Sequence, residues 1–242
     1  MAERRLEVCV DDYHGLMAAV TGGADRIELC SALSVGGLTP SRGLMDAAAK
    51  LPVPSYAMIR PRAGNFTYGA AEIDIMKRDI DAAREAGLPG VVFGANRADR
   101  HLDEAVLSTL VAHAQGLGIT LHRAIDLTPD IAAAVRLTAD LGFERILTSG
   151  GARTAKEGLD GLKQAFDAAA GRLTIMPGSG VNLETVEAIL AAAPFTEIHA
   201  SCAAPVIEPD ARVLDMAFAS PAARRTDADK VRALRARIAE LP

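Results

Sequence analysis

The sequence predicts an α/β chain folded as one TIM (β/α)8 barrel. Short β-like runs alternate with Ala- and Leu-rich helical runs from end to end. Eight strands can be read, each followed by one helix, and 242 residues suit one such barrel. A doubly wound sheet is the alternative, but it places a Gly-rich turn after its first strand, and residues 10–13 here contain no Gly.

The first strand (6–10) is aliphatic apart from Glu7 and Cys9, and leads to a helix near 12–22. Gly23 then supplies the left-handed stop before the second strand (26–30). Thr39-Pro40 reads as an N-cap with Pro at N1, opening a helix near 39–50. The third strand (55–60) precedes a helix near 72–86, ended by Gly87. The fourth (90–94) precedes one near 103–116, ended by Gly116 and Gly118. The fifth (119–123) reaches a second N-cap pair, Thr128-Pro129, and a helix near 129–141 that stops at Gly142. The sixth strand (145–149) is followed by a helix near 157–170. The seventh (173–177) is followed by an N-cap at Asn182 and a helix near 183–192. After the eighth (197–201) comes an irregular stretch, 203–226, rich in Ala, Pro and Asp, and then a last helix near 227–241. A loop that long at the C-terminal face reads as a lid or subunit contact. No linker or low-complexity segment divides the chain, so 1–242 reads as one domain.

Composition narrows the class. Half of the residues are hydrophobic and 24% are charged, which excludes disorder. No run reaches the ~18 apolar residues of a membrane span, and no apolar stretch follows the basic start as in a signal peptide. The expected address is the cytoplasm. A net charge of −5 and 4% aromatics argue against nucleic acid as the ligand. The three cysteines fit neither a disulfide scaffold nor a C-x-x-C zinc site.

Polar residues at strand ends carry the functional reading. The first two strands each contain Glu-x-Cys, and period-2 alternation turns Glu7 with Cys9, and Glu28 with Cys30, toward the lumen. The third adds Arg60 and Arg62, the fifth His122, and the eighth Glu197 and His199. Buried carboxylates require partners, so the glutamates are expected to pair with Arg60, Arg62 or the histidines. Such a set is either an ion-pair plug or a pocket at the C-terminal mouth, and convergence from several strands favours the pocket. Two Gly-rich turns, Ser149-Gly150-Gly151 and Gly178-Ser179-Gly180, read as an anion cradle. None of the five lysines falls inside a predicted strand, which argues against a Schiff-base aldolase. The acid/base candidates are Glu7 and Glu28, with His122 or His199 as proton partner and Arg60 and Arg62 as an anion clamp. This set suits isomerase or lyase chemistry on a small anionic metabolite, a phosphorylated one included.

Several motifs in chain order carry a resemblance. The run from Gly23 to Cys30, then Gly36-Gly37-Leu38-Thr39-Pro40-Ser41, Ile59-Arg60-Pro61-Arg62, His122-Arg123-Ala124 with Asp126, Leu147-Thr148-Ser149-Gly150, Gly178-Ser179-Gly180 and His199-Ala200-Ser201 resembles the CutC family of copper homeostasis proteins. The resemblance covers nearly the whole chain. It implies a cytoplasmic TIM barrel that forms a homo-oligomer, dimer or tetramer, with Asp126 among the site residues. It also implies Cu(I) as a cargo, with Cys9 and Cys30 as candidate soft ligands. The last helix carries an apolar stripe, Val231, Leu234, Ile238 and Leu241, that could dock to its own barrel or to a second subunit.

Overall fold

The computed structural model describes residues 4–207 and 210–241. Eight strands form one parallel sheet: β1 (Arg5–Val10), β2 (Arg26–Leu29), β3 (Ser55–Met58), β4 (Gly90–Phe93), β5 (Gly118–Leu121), β6 (Arg145–Thr148), β7 (Thr174–Pro177) and β8 (Glu197–Ala200). Their order is β7-β6-β5-β4-β3-β2-β1-β8. The outermost pair, β7 and β8, lie side by side, so the sheet curls into a nearly closed TIM barrel. Around it run α1 (Tyr13–Gly22), α2 (Arg42–Ala48), α3 (Ala70–Ala86), α4 (Glu104–His113), α5 (Ile131–Asp140), α6 (Leu159–Ala169) and α7 (Val186–Ala192).

One parity of each strand is aliphatic and faces the helices. Leu6, Val8, Val10, Ile27, Leu29 and Phe93 are buried in that layer. The opposite parity faces the lumen and carries the polar residues. Asp12 caps α1, its Oδ1 accepting from the Gly15 amide at 2.6 Å, and Gly23 ends the helix at φ 89°.

Helix starts depart from the sequence expectation at three places. α2 and α5 are capped at Ser41 and Asp130, not at Thr39 and Thr128, and α7 starts at Val186, after Thr185, which makes no side-chain cap bond. For α2 and α5 the physical reason is competition for the side-chain oxygens. Thr39 Oγ1 donates to Asp79 and accepts from the Arg60 amide, and Thr128 Oγ1 donates to the Ile125 carbonyl. Asn182 Oδ1 accepts from the Glu184 amide as an N-cap does, and its carbonyl accepts from the Thr185 and Val186 amides, so the expected cap opens the turn that leads into α7.

The 203–226 segment is more ordered than expected. It holds β9 (Ala203–Pro205), α8 (Ala211–Asp215) and β10 (Arg224–Thr226), with β9 and β10 paired antiparallel. This hairpin lies across the mouth side of β1, where Thr226 Oγ1 donates to the Cys9 and Ser201 carbonyls. α9 (Ala228–Glu240) then docks on its own barrel against α1, burying Val231, Leu234 and Ile238. Gly22 permits the approach, since a Cβ there would lie 2.5 Å from Val231 Cβ.

Candidate functional site

Strand tilt in an eight-stranded barrel stacks the inward side chains in layers of four from alternate strands. Ladder register and alternation give the layers from the N-terminal end upward. First come Arg26, Gly90, Arg145 and Glu197, then Glu7, Tyr56, Thr120 and Met176. Above them lie Glu28, Val92, Leu147 and His199, then Cys9, Met58, His122 and Gly178.

The lower two layers form a charge plug. Arg26 bridges Glu7 and Glu197. Arg145 lies 3.1 Å from Glu197 and donates to Thr120 Oγ1 at 3.0 Å. The Tyr56 ring takes both guanidiniums, at 5.6 Å from Arg26 and 5.0 Å from Arg145. Gly90 and Gly118 make room for that ring, because a Cβ at either would come within 2.4 Å or 2.2 Å of it. Burial raises the Glu7 carboxyl, but the Arg26 charge and the His199 hydrogen bond outweigh it and hold the group down at about 2. Glu7 is therefore ionised at neutral pH and positions His199.

The upper layers hold groups that can exchange protons. His199 Nδ1 lies 2.9 Å from Glu7 Oε1, and its Nε2 lies 3.7 Å from Glu28 Oε2. Burial disfavours the imidazolium, yet the Glu28 charge and the hydrogen bond to Glu7 raise it well above the ordinary histidine range. Burial pushes the Glu28 carboxyl up to about 7, with Glu7 adding to the rise and His199 opposing it. Cys30 Sγ is 3.7 Å from Glu28 Oε2, and burial beside that carboxylate pushes its thiol up.

His122 is neutral, since burial and the neighbouring Arg60 charge pull it down to about 3. Its Nδ1 accepts from the Ala124 amide at 3.2 Å, which places the ring proton on Nε2. Gly94 accommodates the ring, as a Cβ there would lie 2.6 Å from His122 Cε1. Arg60 and His122 flank one aromatic, Phe66, at 4.9 Å and 4.7 Å from its centroid.

The arginines differ from the expected pairing. Arg60 binds no carboxylate among the described residues; its guanidinium donates to the Val35, Gly37 and Gly64 carbonyls and so ties two mouth loops together. Arg62 lies outside the lumen, paired with Glu72 and hydrogen-bonded to Asn65 and Thr67. Arg26 and Arg145 neutralise the buried acids instead. They share the inward parity of Glu28 and Leu147, two residues along, so a sequence signal for both existed.

Asp126 lies in the turn after β5 and fills the β6 turn with its carboxylate. Its oxygens accept from Thr148 Oγ1 at 2.5 Å, the Ser149 amide at 3.0 Å and the Gly151 amide at 3.1 Å. The Gly150 amide is satisfied by Thr148 Oγ1 at 2.9 Å. In the next turn the Gly178 amide donates to the Thr148 carbonyl, and a Cβ at Gly178 would lie 2.4 Å from Leu147 Cδ1. Ser179 and Gly180 instead line a cavity of about 710 Å³ that also reaches Cys9 and His199.

Potential ligand atoms of Cys9, Glu28 and His199 lie within 4.8 Å of one another. Five buried polar atoms have no partner among the described residues: Glu28 Oε1, Arg60 Nε, Tyr68 Oη, Asn96 Oδ1 and His122 Nε2. Buried polar groups are ordinarily satisfied by protein, ordered water or ligand, so these atoms are candidate contacts for water or a ligand group.

Comparison with known proteins agrees with this architecture. The family model described as CutC family matches residues 4–204. The chain is 59% identical to a family protein CutC of Rhizobium meliloti (strain 1021), over 98% of this chain and 97% of the relative. It is 48% identical to one of Caulobacter vibrioides (strain NA1000 / CB15N), over 96% and 97%. A crystal structure from Streptococcus agalactiae that carries the name copper homeostasis protein CutC superposes with TM-score 0.77 at 31% identity, covering 83% of this chain and 99% of that one. Phosphoribosyl anthranilate isomerase from Thermotoga maritima, at TM-score 0.59 and 13% identity over 98% of each chain, shares the fold. With residues 4–204 matched by the family model and 98% of the chain aligned to a relative at 59% identity, the chain belongs to the CutC family.

Proposed function

We propose that the mouth of the barrel is a proton-transfer site for a small anionic metabolite, of the isomerase or lyase class. The observation that carries this reading is three of the unpartnered buried atoms, Arg60 Nε and His122 Nε2 as donors and Glu28 Oε1 as acceptor. Arg60 Nε and His122 Nε2–H would receive a carbonyl or enolate oxygen of the ligand. Glu28 Oε1 would take the proton from the adjacent carbon. A neutral imidazole suits the donor role, because it can hydrogen-bond a developing oxyanion without first losing a proton to it. Glu28 is poised to accept, since its burial keeps proton affinity near neutrality. Glu7 orients His199, and the His199 cation stabilises Glu28 in its ionised form.

The test uses small hydroxy- and oxo-acids and their phosphate esters in D2O, followed by proton NMR. The wild type is expected to exchange a C–H beside a carbonyl, and Glu28→Gln to slow that exchange about a hundredfold or more. Exchange undiminished in Glu28→Gln would overturn the reading.

A second reading takes copper as cargo, and the clustering of Cys9, Glu28 and His199 favours it. The donor set fits in part. A thiolate and an imidazole suit Cu(I), while a carboxylate is a harder donor. Holding the ion would require His199 to shed its proton and Cys9 to act as thiolate, and Cys30 would be a neighbouring thiol. A cytoplasmic location would keep these thiols reduced. Anaerobic Cu(I) titration against a competing chelator, on wild type, Cys9→Ser and Cys30→Ser, tests it. Tight one-to-one binding lost in the variants would support copper, and binding indifferent to both would retire it.

A further inference from the structure

We infer that the cavity between the β7–α7 turn, β8 and the start of α9 is a phosphate subsite, with Arg224 and Lys230 as its cations. It deepens the proton-transfer reading and rests on it for one point only, that the rest of the ligand lies over Glu28.

The argument begins with two uncompensated charges. Arg224 donates to the Ala203 carbonyl at 2.6 Å, and Lys230 Nζ donates to the same oxygen at 3.2 Å. Neither forms an ion pair among the described residues. Their neighbours on β10 and α9 do: Arg225 with Asp12, Arg232 with Asp229 and Arg237 with Glu187. Sharing one acceptor brings two like charges together, an arrangement that a bound anion would relieve.

The opposite wall supplies N–H donors. Ser179 and Gly180 have φ of 76° and 72°, so the turn presents successive amides. The amides of Ser179, Gly180 and Val181 donate to no protein acceptor among the described residues, whereas those of the β6 turn are spent on Asp126 and Thr148. Unspent turn amides and two cations lining one cavity suit an anion. Two acids also line the cavity: Asp229, which is exposed and paired with Arg232, and Glu184, which is exposed.

Position fixes the ligand class. The cavity reaches Cys9 and His199 and so joins the lumen cluster. Its volume of about 710 Å³ suits a phosphate ester of a small carbon skeleton. One end would carry the phosphate between Arg224, Lys230 and the turn amides, and the other would lie at Cys9 and His199, whose Nε2 is 3.7 Å from Glu28.

The probe is inorganic phosphate, titrated into the full chain by calorimetry at low salt. The double variant Arg224→Ala/Lys230→Ala is expected to weaken binding about tenfold or more, and Glu184→Gln to tighten it. Both cations are exposed, so these variants should stay folded, as circular dichroism would verify. No phosphate binding by the wild type, or binding unchanged in the double variant, would overturn the subsite. Acetate binding of equal strength, with the same loss, would overturn its assignment to phosphate. Glu28→Gln should bind phosphate as the wild type does. Failure of the subsite therefore shows in the phosphate titration, and failure of the proton-transfer reading shows in the D2O exchange.

Discussion

Glu7 Oε1 lies 2.9 Å from His199 Nδ1, and this contact joins the charge plug at the base of the barrel to the polar cluster at its mouth. Through it, the ion pair between Glu7 and Arg26 fixes the ring that faces Glu28. Stability and site chemistry share one carboxylate.

Glu7→Gln should therefore be costly twice over. Removing one partner of a buried ion pair typically costs about 3–5 kcal/mol, and urea unfolding would measure that loss. His199 should also titrate lower, as NMR of the ring would show. The pH dependence has a definite sign: the native carboxyl is held at about 2, below its ordinary 4.5. Its contribution is present above 4.5 and lost as pH falls toward 2, and the variant should lack that component of acid destabilisation.

Glu28 gives the opposite slope. Its native carboxyl titrates near 7, so between 4.5 and 7 the folded state holds a proton that the unfolded state releases. This group's contribution to stability is present below 4.5 and lost as pH rises through 7, by roughly 3 kcal/mol in all. Denaturant midpoints at pH 5 and pH 8 should differ less in Glu28→Gln than in the wild type. Proton abstraction by Glu28 should correspondingly accelerate as pH rises through 7.

Gly94→Ala tests the seating of His122. The added Cβ would lie 2.6 Å from two ring atoms, so the ring must turn. The expected cost is about 1–3 kcal/mol, with ligand binding at the mouth weakened more than the melting temperature alone implies. A melting curve and the His122 ring shifts would read the two effects separately.

Asp126→Ala should unfasten the β6 turn. Its carboxylate accepts from the Ser149 and Gly151 amides and pairs with Arg123 at 2.8 Å. Losing these bonds should cost about 2–4 kcal/mol. Hydrogen exchange at Ser149 and Gly151 should accelerate, while amides in β1 and β2 change only with global stability.

The sequence by itself determined the strands, their number and which parity faces inward. Period-2 alternation is local, so Glu7 with Cys9 and Glu28 with Cys30 could be assigned a face from neighbouring residues alone. Left-handed stops such as Gly23 and Gly87 were equally legible, because a helix end needs that conformation whatever surrounds it. Only the tertiary structure decided who pairs with whom. Arg26 meets Glu197 across the β1 strand, and Asp126 reaches a turn more than twenty residues ahead. Both depend on strand tilt and register, which no single segment encodes. The mouth itself was decided last of all: Arg224 and Lys230 enter it from a hairpin and helix beyond the eighth strand, placed there by the docking of α9 on α1.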